Sequence, residues 1–295
     1  MKLKLLTLNG LSPSRLPPPT APPEALAPFL ISILEEAIPF IDSVAPKSTQ
    51  SHSPSSEWIP KGTKSYSASD APVQLFQRVV DTPGNTSKDR GAGGGKETWI
   101  CRRSVHSDSD EGGKKSASWA EFWDAMKERH VEVEREFTGS VVDVEEVTVW
   151  DGEELGLSVL STTFTSITLS LHLIRHSIGR PILKDRTFPI LLLSCAASPS
   201  EFLSITLTLP SLLESSSYVP DPIRQKYHDS VIGSYVSVER VRKTEEGKIE
   251  WIMATASDAK GVLPTWVQNR AVPGQISKDV PNFLAWAARE RRKGK

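Results

Sequence analysis

The last quarter of the chain, Val231 to Trp286, constrains the fold most, because a strand pair there hands directly over to one long amphipathic helix. Ser234 to Val241 reads as a strand, and Glu245-Glu246-Gly247 as a turn in which Gly247 is free to take a positive φ. The return strand from Lys248 puts Ile249, Trp251 and Met253 on one face and Glu250, Ile252 and Ala254 on the other, the period-2 pattern of a sheet. It ends in Ser257-Asp258-Ala259-Lys260-Gly261, after which Pro264 suits a first helical turn. Ile276, Val280, Phe283, Leu284 and Ala287 then recur at helical spacing as one apolar stripe. A sheet hairpin that feeds such a helix has to bury the stripe somewhere.

Upstream the chain is mostly strand. Ile167, Leu169, Leu171 and Leu173 alternate with Thr168, Ser170 and His172, and Leu203, Ile205, Leu207 and Leu209 repeat the pattern against Ser204, Thr206 and Thr208. Ile190 to Leu193 is apolar without a break, which calls for cover on both faces. Val73 to Val80, Thr98 to His106 and Val141 to Trp150 are further strand candidates. Ser118-Trp119-Ala120-Glu121 is a capping box that starts a helix running to about Glu136, with Trp119, Phe122, Trp123, Met126, His130 and Val133 along one side. Helices at both ends of a run of antiparallel strands define an α+β domain.

The run Gly233-Ser-Tyr-Val-Ser-Val-Glu-Arg240, followed by Ile249 to Asn269 with its Asp258-x-x-Gly261-x-x-Pro264 turn, resembles the end of a START domain, the lipid-transfer module named after steroidogenic acute regulatory protein. Trp99-Ile-Cys-Arg-Arg-Ser-Val-His106, with Ser118-Trp-Ala-Glu-Phe122, is most similar to an uncharacterised START-like branch found in fungi. The resemblance covers roughly Tyr66 to Arg291. It implies a helix-grip fold, in which a curved antiparallel sheet grips the C-terminal helix around an apolar cavity. It also implies an omega loop over the cavity mouth at Ser177 to Arg186, with Ile182 and Leu183 as lid residues able to touch a bilayer; the family's Arg-Asp-Phe order departs here to Asp185-Arg186-Thr-Phe188. A particular lipid does not follow from fold alone.

The 295 residues, 38% hydrophobic and 24% charged, suffice for one sizeable core with extensions. Residues 1–21 are Pro-rich and expected to be poorly ordered, 22–44 form an amphipathic helix that Pro39 should kink or end, 45–65 a linker with Trp58 and Ile59 tacked to the body, and 66–295 the START-like domain. The polar face of the first helix carries Glu35, Glu36 and Asp42, so it is expected to pack on the domain rather than anchor in a membrane, where Lys and Arg are usual. Leu212 to Ser230 is a long surface connection and a second candidate lid.

Several function classes find no support. A net charge of −1 gives no reason to expect a nucleic-acid partner. His and Cys are scattered without metal-ligand spacing, so no metal and no cofactor are expected. Gly91-Ala-Gly-Gly-Gly95-Lys96 lacks the first Gly and the final Ser or Thr of a phosphate-binding loop and reads as a hairpin connection. Cys101 and Cys195 sit in strands and are expected as two buried reduced thiols, a disulfide being the alternative. The expected address is cytoplasmic, peripheral at membranes at most, for a chain whose first eight residues are too short for a signal h-region and whose longest apolar run, Phe188 to Ala197, is about half a membrane span.

The functional expectation is therefore a non-catalytic, monomeric carrier of a lipid or sterol-like ligand, with transient membrane contact. Burying about twenty CH2 groups is worth roughly 16 kcal/mol gross, whereas one charge-assisted head-group hydrogen bond adds about 1.5–3, so apolar lining sets affinity and a few polar groups set identity. The cavity candidates are Arg103, Trp150, Arg175, Trp251, Met253, Trp266, Val267, Ile276, Val280, Phe283 and Leu284. Arg102 and Arg103 point to opposite faces of their strand, so one of them must face inward or along the sheet edge. Two alternatives stay open: a helix-grip enzyme of cyclase or hydrolase type, with His106, His130, His172 and Asp258 as candidate groups, and a scaffold whose cavity has filled in. In the first, Asp258 is better read as capping the bend before Pro264. The basic end, Arg289 to Lys295, suits a helix C-terminus or an anionic lipid surface.

Overall fold

The alternating segments pair into one 11-stranded sheet whose main path runs β1 (Ile59–Lys64), β2 (Val73–Asp81), β3 (Lys96–Ser107), β11 (Lys248–Asp258), β10 (Ser234–Lys243), β8 (Glu201–Thr208), β7 (Arg186–Ser198), β6 (Thr162–His176), β4 (Val141–Gly152). All neighbours on that path are antiparallel, and two short strands, β5 (Leu157–Val159) and β9 (Val231–Ile232), hang on β6 and β7. This is a computed structural model, and it describes residues 3–45, 57–82, 95–109, 115–152, 154–177, 183–215, 217–260 and 265–293. Helices α1 (Pro23–Asp42), α2 (Trp119–Trp123), α3 (His130–Phe137), α4 (Leu212–Ser215), α5 (Asp221–Tyr227) and α6 (Thr265–Lys293) complete an α+β architecture in which the C-terminal helix lies on the sheet.

Each face of the sheet has its own cover. On the inward face, Ile100, Val241, Ile249, Trp251 and Met253 meet Phe122 and Met126, and the α6 stripe of Ile276, Val280, Phe283, Leu284 and Ala287 packs into them. The outward face presents Ile252, Val238, Ile205, Leu193 and Leu171 to α1 and to the segment preceding it. Ile190 to Leu193 is covered on both sides accordingly, Ile190 and Leu192 inward and Leu191 and Leu193 outward.

The first 21 residues depart from the expectation of poor order. Leu3, Leu5, Leu6, Leu11 and Leu16 are buried against the outward face. The Glu36 carboxylate on α1 accepts from the backbone N–H groups of Lys4, Leu5 and Leu6 at 2.7–3.0 Å. Prolines lack an N–H but keep their carbonyls, and here these are used: Trp150 Nε1 donates to the Pro18 carbonyl (2.8 Å) and the Tyr218 hydroxyl to that of Pro17 (2.7 Å). α1 does not end at Pro39 but runs one turn further, to Asp42, which pairs with buried Arg240.

The linker expected over 45–65 is also shorter than read. Residues 46–56 lie outside the described residues, but Ile59–Lys64 is the edge strand β1, and Trp58 packs on Phe40 with ring centroids 5.6 Å apart. Pro60, Lys61 and Lys64 on this exposed edge discourage further strand pairing. The Gly91–Lys96 loop falls mostly outside the described residues.

The helix read from Ser118 to Glu136 starts as expected, with Glu121 Oε2 accepting from the Ser118 N–H at 2.7 Å. It is interrupted at Asp124–Glu128 by a π turn. There the Met126 and Lys127 carbonyls accept from Ser204 and Ser194 Oγ on the sheet (3.1 and 3.2 Å), fastening the helix to β8 and β7. Leu212–Ser230 is not a lid over the inward face: Leu212, Leu213, Val219 and Tyr227 pack with the outward core. Among the described residues no helix is long and apolar enough to cross a membrane.

Candidate functional site

Between α6, α3 and the inward face of the sheet lies a hollow of about 670 Å³. It follows from the register. Arg102, Met253, Glu239 and Ser204 stand opposite one another across β3, β11, β10 and β8, so a row that is polar but for Met253 crosses the middle of the sheet. One wall is apolar, with Ile174 from β6 and Phe188, Ile190 and Leu192 from β7 facing Val131 of α3. The opposite end carries Arg102, His130, Glu134, Glu239 and Asp279. The space is amphiphilic rather than wholly apolar.

The charges at the polar end are specifically placed. Arg102, 1% exposed, donates from Nη2 to Glu239 Oε1 at 3.1 Å, and its guanidinium sits 3.8 Å over the Trp251 ring. Trp251 Nε1 donates to the same carboxylate oxygen at 2.6 Å. Arg102 Nε lies 4.0 Å from Asp279 Oδ2, and neither Nε nor Nη1 has a hydrogen-bond partner in the structure. His130 Nδ1 donates to the Met126 carbonyl (2.9 Å), fixing the ring 3.9 Å from Glu239 Oε2. Burial pushes the Asp279 carboxyl up to about 7, Arg102 opposing and Glu134 and Glu239 reinforcing, and burial likewise raises Glu134. The 27% of Asp279 that is accessible borders this hollow. His176, also lining the space, is pushed down to about 4 by burial and is neutral at neutral pH.

Among the residues read from sequence, Trp251, Met253 and Ile276 border the hollow. Arg103 does not: it lies on the outward face and pairs with Glu250 at 2.7 Å, while Arg102 is the inward neighbour. Arg175 points away from the hollow, to Asp143 (3.0 Å) and a shallow surface depression that Leu183 shares, and its neighbours Ile174 and His176 face inward instead. Trp150 belongs to the outward core. Val280, Phe283 and Leu284 are fully buried in the apolar cluster beside the hollow, Phe283 lying 5.4 Å from the Trp251 ring and 4.7 Å from that of Phe122. The side of α6 that borders the space is the adjacent polar one, with Gln275, Asp279 and Asn282. Ile182 and the side chains of Trp266 and Val267 lie outside the described residues.

Of the four enzyme candidates only His130 borders the hollow. His106 shares a hydrogen bond with Ser104 Oγ (2.8 Å) and is pushed down to about 3 by burial, with Arg102 adding to the effect. His172 pairs with Ser170 Oγ (2.8 Å) and is pushed down to about 4, first by burial. Asp258 accepts from the Lys260 N–H at 2.9 Å, the turn-capping role expected of it. Glu134, Glu239 and Asp279 were missed. Their signal was a charge at an inward parity position of a strand, or beside an apolar helical stripe.

The fold is shared with solved structures. It is similar to human STARD10 (TM-score 0.54, 13% identity, 81% of this chain and 76% of that one) and to human StAR-related lipid transfer protein 5 (TM-score 0.53, 13% identity, 91% of this chain and 99% of that one). A sheet closed by a C-terminal helix over an internal hollow makes this a START-fold domain. The chain belongs to the family described as protein of unknown function (DUF3074), which residues 99–287 match. No curated protein matches the sequence.

Proposed function

We propose that the domain binds one lipid or comparable hydrophobic ligand in the hollow between sheet and α6, without catalysis, and passes it between membranes. The observation that carries this is the space itself: about 670 Å³, within the roughly 300–1,000 Å³ of ligand pockets, with Ile174, Phe188, Ile190 and Leu192 along one wall. The name of one fold relative, a lipid transfer protein, supports the same reading. In this account Trp251, Met253 and Ile276 join that wall in contacting the ligand, the chain acts as a cytoplasmic monomer that touches membranes transiently, and Gln275 and Lys278, both exposed on α6, stand at the mouth. Native mass spectrometry of the purified protein, followed by organic extraction, tests it. A bound lipid, or uptake from vesicles, is the expected result; neither one would overturn the proposal.

Asp279 also supports a second reading. A carboxyl held near 7 beside a second raised carboxyl, Glu134, is suited to general acid–base work on a hydrophobic substrate. The two readings differ in what is recovered: a carrier returns its ligand chemically unchanged after incubation, and an enzyme returns a product whose formation Asp279→Asn abolishes.

A further inference from the structure

The polar end of the hollow gathers three carboxyl groups around one guanidinium. Glu134, Glu239 and Asp279 face a single guanidinium, that of Arg102, with the His130 ring 3.9 Å from Glu239 Oε2, and Lys278, although it borders the space, is exposed at the mouth. Arg102 has no charge to spare, since Glu239 takes Nη2 at 3.1 Å and Trp251 covers its face at 3.8 Å. It does have donors to spare: Nε and Nη1 lack hydrogen-bond partners in a side chain that is 1% exposed. Two buried donors that border a hollow call for an acceptor inside it. A group that offers an oxygen to accept from Arg102 and a cation to meet Glu134 and Asp279 would use every one of these side chains. A phosphate or a fatty-acid carboxylate supplies the oxygen but sets a second negative charge near the Glu239 carboxylate. A plain alcohol supplies the oxygen but no charge that could draw the protons off Glu134 and Asp279.

We propose, building on the lipid-binding reading above, that the ligand is a long-chain amino alcohol, its ammonium between Glu134 and Asp279, its hydroxyl oxygen on Arg102, and its chain along Ile174, Phe188 and Leu192. The groups facing the ammonium come from every element packed there: His130 and Glu134 from α3, Arg102 from β3, Tyr235 and Glu239 from β10, His176 from β6 and Asp279 from α6. In the unliganded hollow burial holds protons on Asp279 and Glu134, and an arriving cation releases them. Binding of the amino alcohol should thus tighten as pH rises from 6 to 8, toward a limit of about tenfold per unit for each proton released.

The test uses the full chain and three saturated probes of equal length, an amino alcohol, an alcohol and a fatty acid, each offered on dioleoyl-phosphatidylcholine vesicles and scored by native mass spectrometry. The amino alcohol is expected to bind at least tenfold tighter than the alcohol, and the acid to be excluded. Asp279→Asn and, independently, Glu134→Gln should each cut the amino-alcohol-to-alcohol preference about tenfold, equivalent to about 1.4 kcal/mol, with circular dichroism checking that each variant is folded. Equal or better binding of the alcohol, the acid or the vesicle phosphatidylcholine would overturn the proposal, as would folded variants that keep the preference. If all three probes are refused while extraction recovers some other lipid, the head-group assignment falls and the carrier stands. If no lipid is ever recovered or taken up, both fall.

Discussion

Arg102 and Arg103 differ by one position, and the whole character of the site depends on which of them turns inward. Strand parity makes them opposite but not which is which; that is decided by register with β11, where Arg102 meets Met253 and Arg103 meets Ile252. The pairing is a property of two strands nearly 150 residues apart and is not written in either one. The same holds for Glu239 and Asp279, whose company only the fold assembles. Asp279 carries a prediction of its own. Its carboxyl is raised in the folded state, to about 7 from an ordinary 3.8, so the protonated form is the one that suits the fold. Its favourable contribution is present below about pH 4 and disappears as pH climbs through 7. Without ligand, the protein should lose stability between pH 5 and 8, on the order of 2–4 kcal/mol at most. Asp279→Asn should flatten that slope in urea unfolding measured across the range, and an unchanged slope would assign the effect elsewhere.

At the scale of elements, what was legible was whatever repeats. The α6 stripe, the alternating leucines of β6 and β8 and the Ser118 capping box all stand where periodicity put them. What the stripe did not say is that Val280, Phe283, Leu284 and Ala287 fill core beside the hollow, while Ile276 and the neighbouring polar line border the space. Phe283→Ala should therefore act on stability, by about 3–5 kcal/mol in chemical denaturation, with little change in which probe is preferred. Removing the Ser118 cap by Ser118→Ala should cost about 0.5–2 kcal/mol by the same measurement. The π turn escaped the sequence because nothing in Asp124 to Glu128 is a helix breaker; it arises where carbonyls are drawn to Ser194 and Ser204 across the sheet. Glu36 escaped for a related reason, as a carboxylate on a polar helix face looks solvated until three backbone N–H groups arrive. Glu36→Ala should lower the melting temperature and raise protease cleavage before Leu11.

The whole molecule is a sheet with two unlike tenants, a helix over a hollow on one side and the chain's own beginning packed solid on the other. Composition concealed the second, since prolines and serines among the first 21 residues mark a tail unless the leucines between them are matched to a bare apolar surface. Deleting residues 1–45 should uncover Leu171, Leu193, Ile205 and Val238 together. The expected outcome is an aggregating product that binds hydrophobic dyes, in contrast to a well-behaved domain if the segment were a passive extension. The two bonds from Tyr218 to the carbonyls of Leu16 and Pro17 span some 200 residues of chain. During synthesis the leucine-rich start leaves the ribosome long before β6, β7 and β8 exist to receive it. That segment docks late, and folding should be slow, dependent on chaperones, and unusually sensitive to anything that occupies its leucines in the interval.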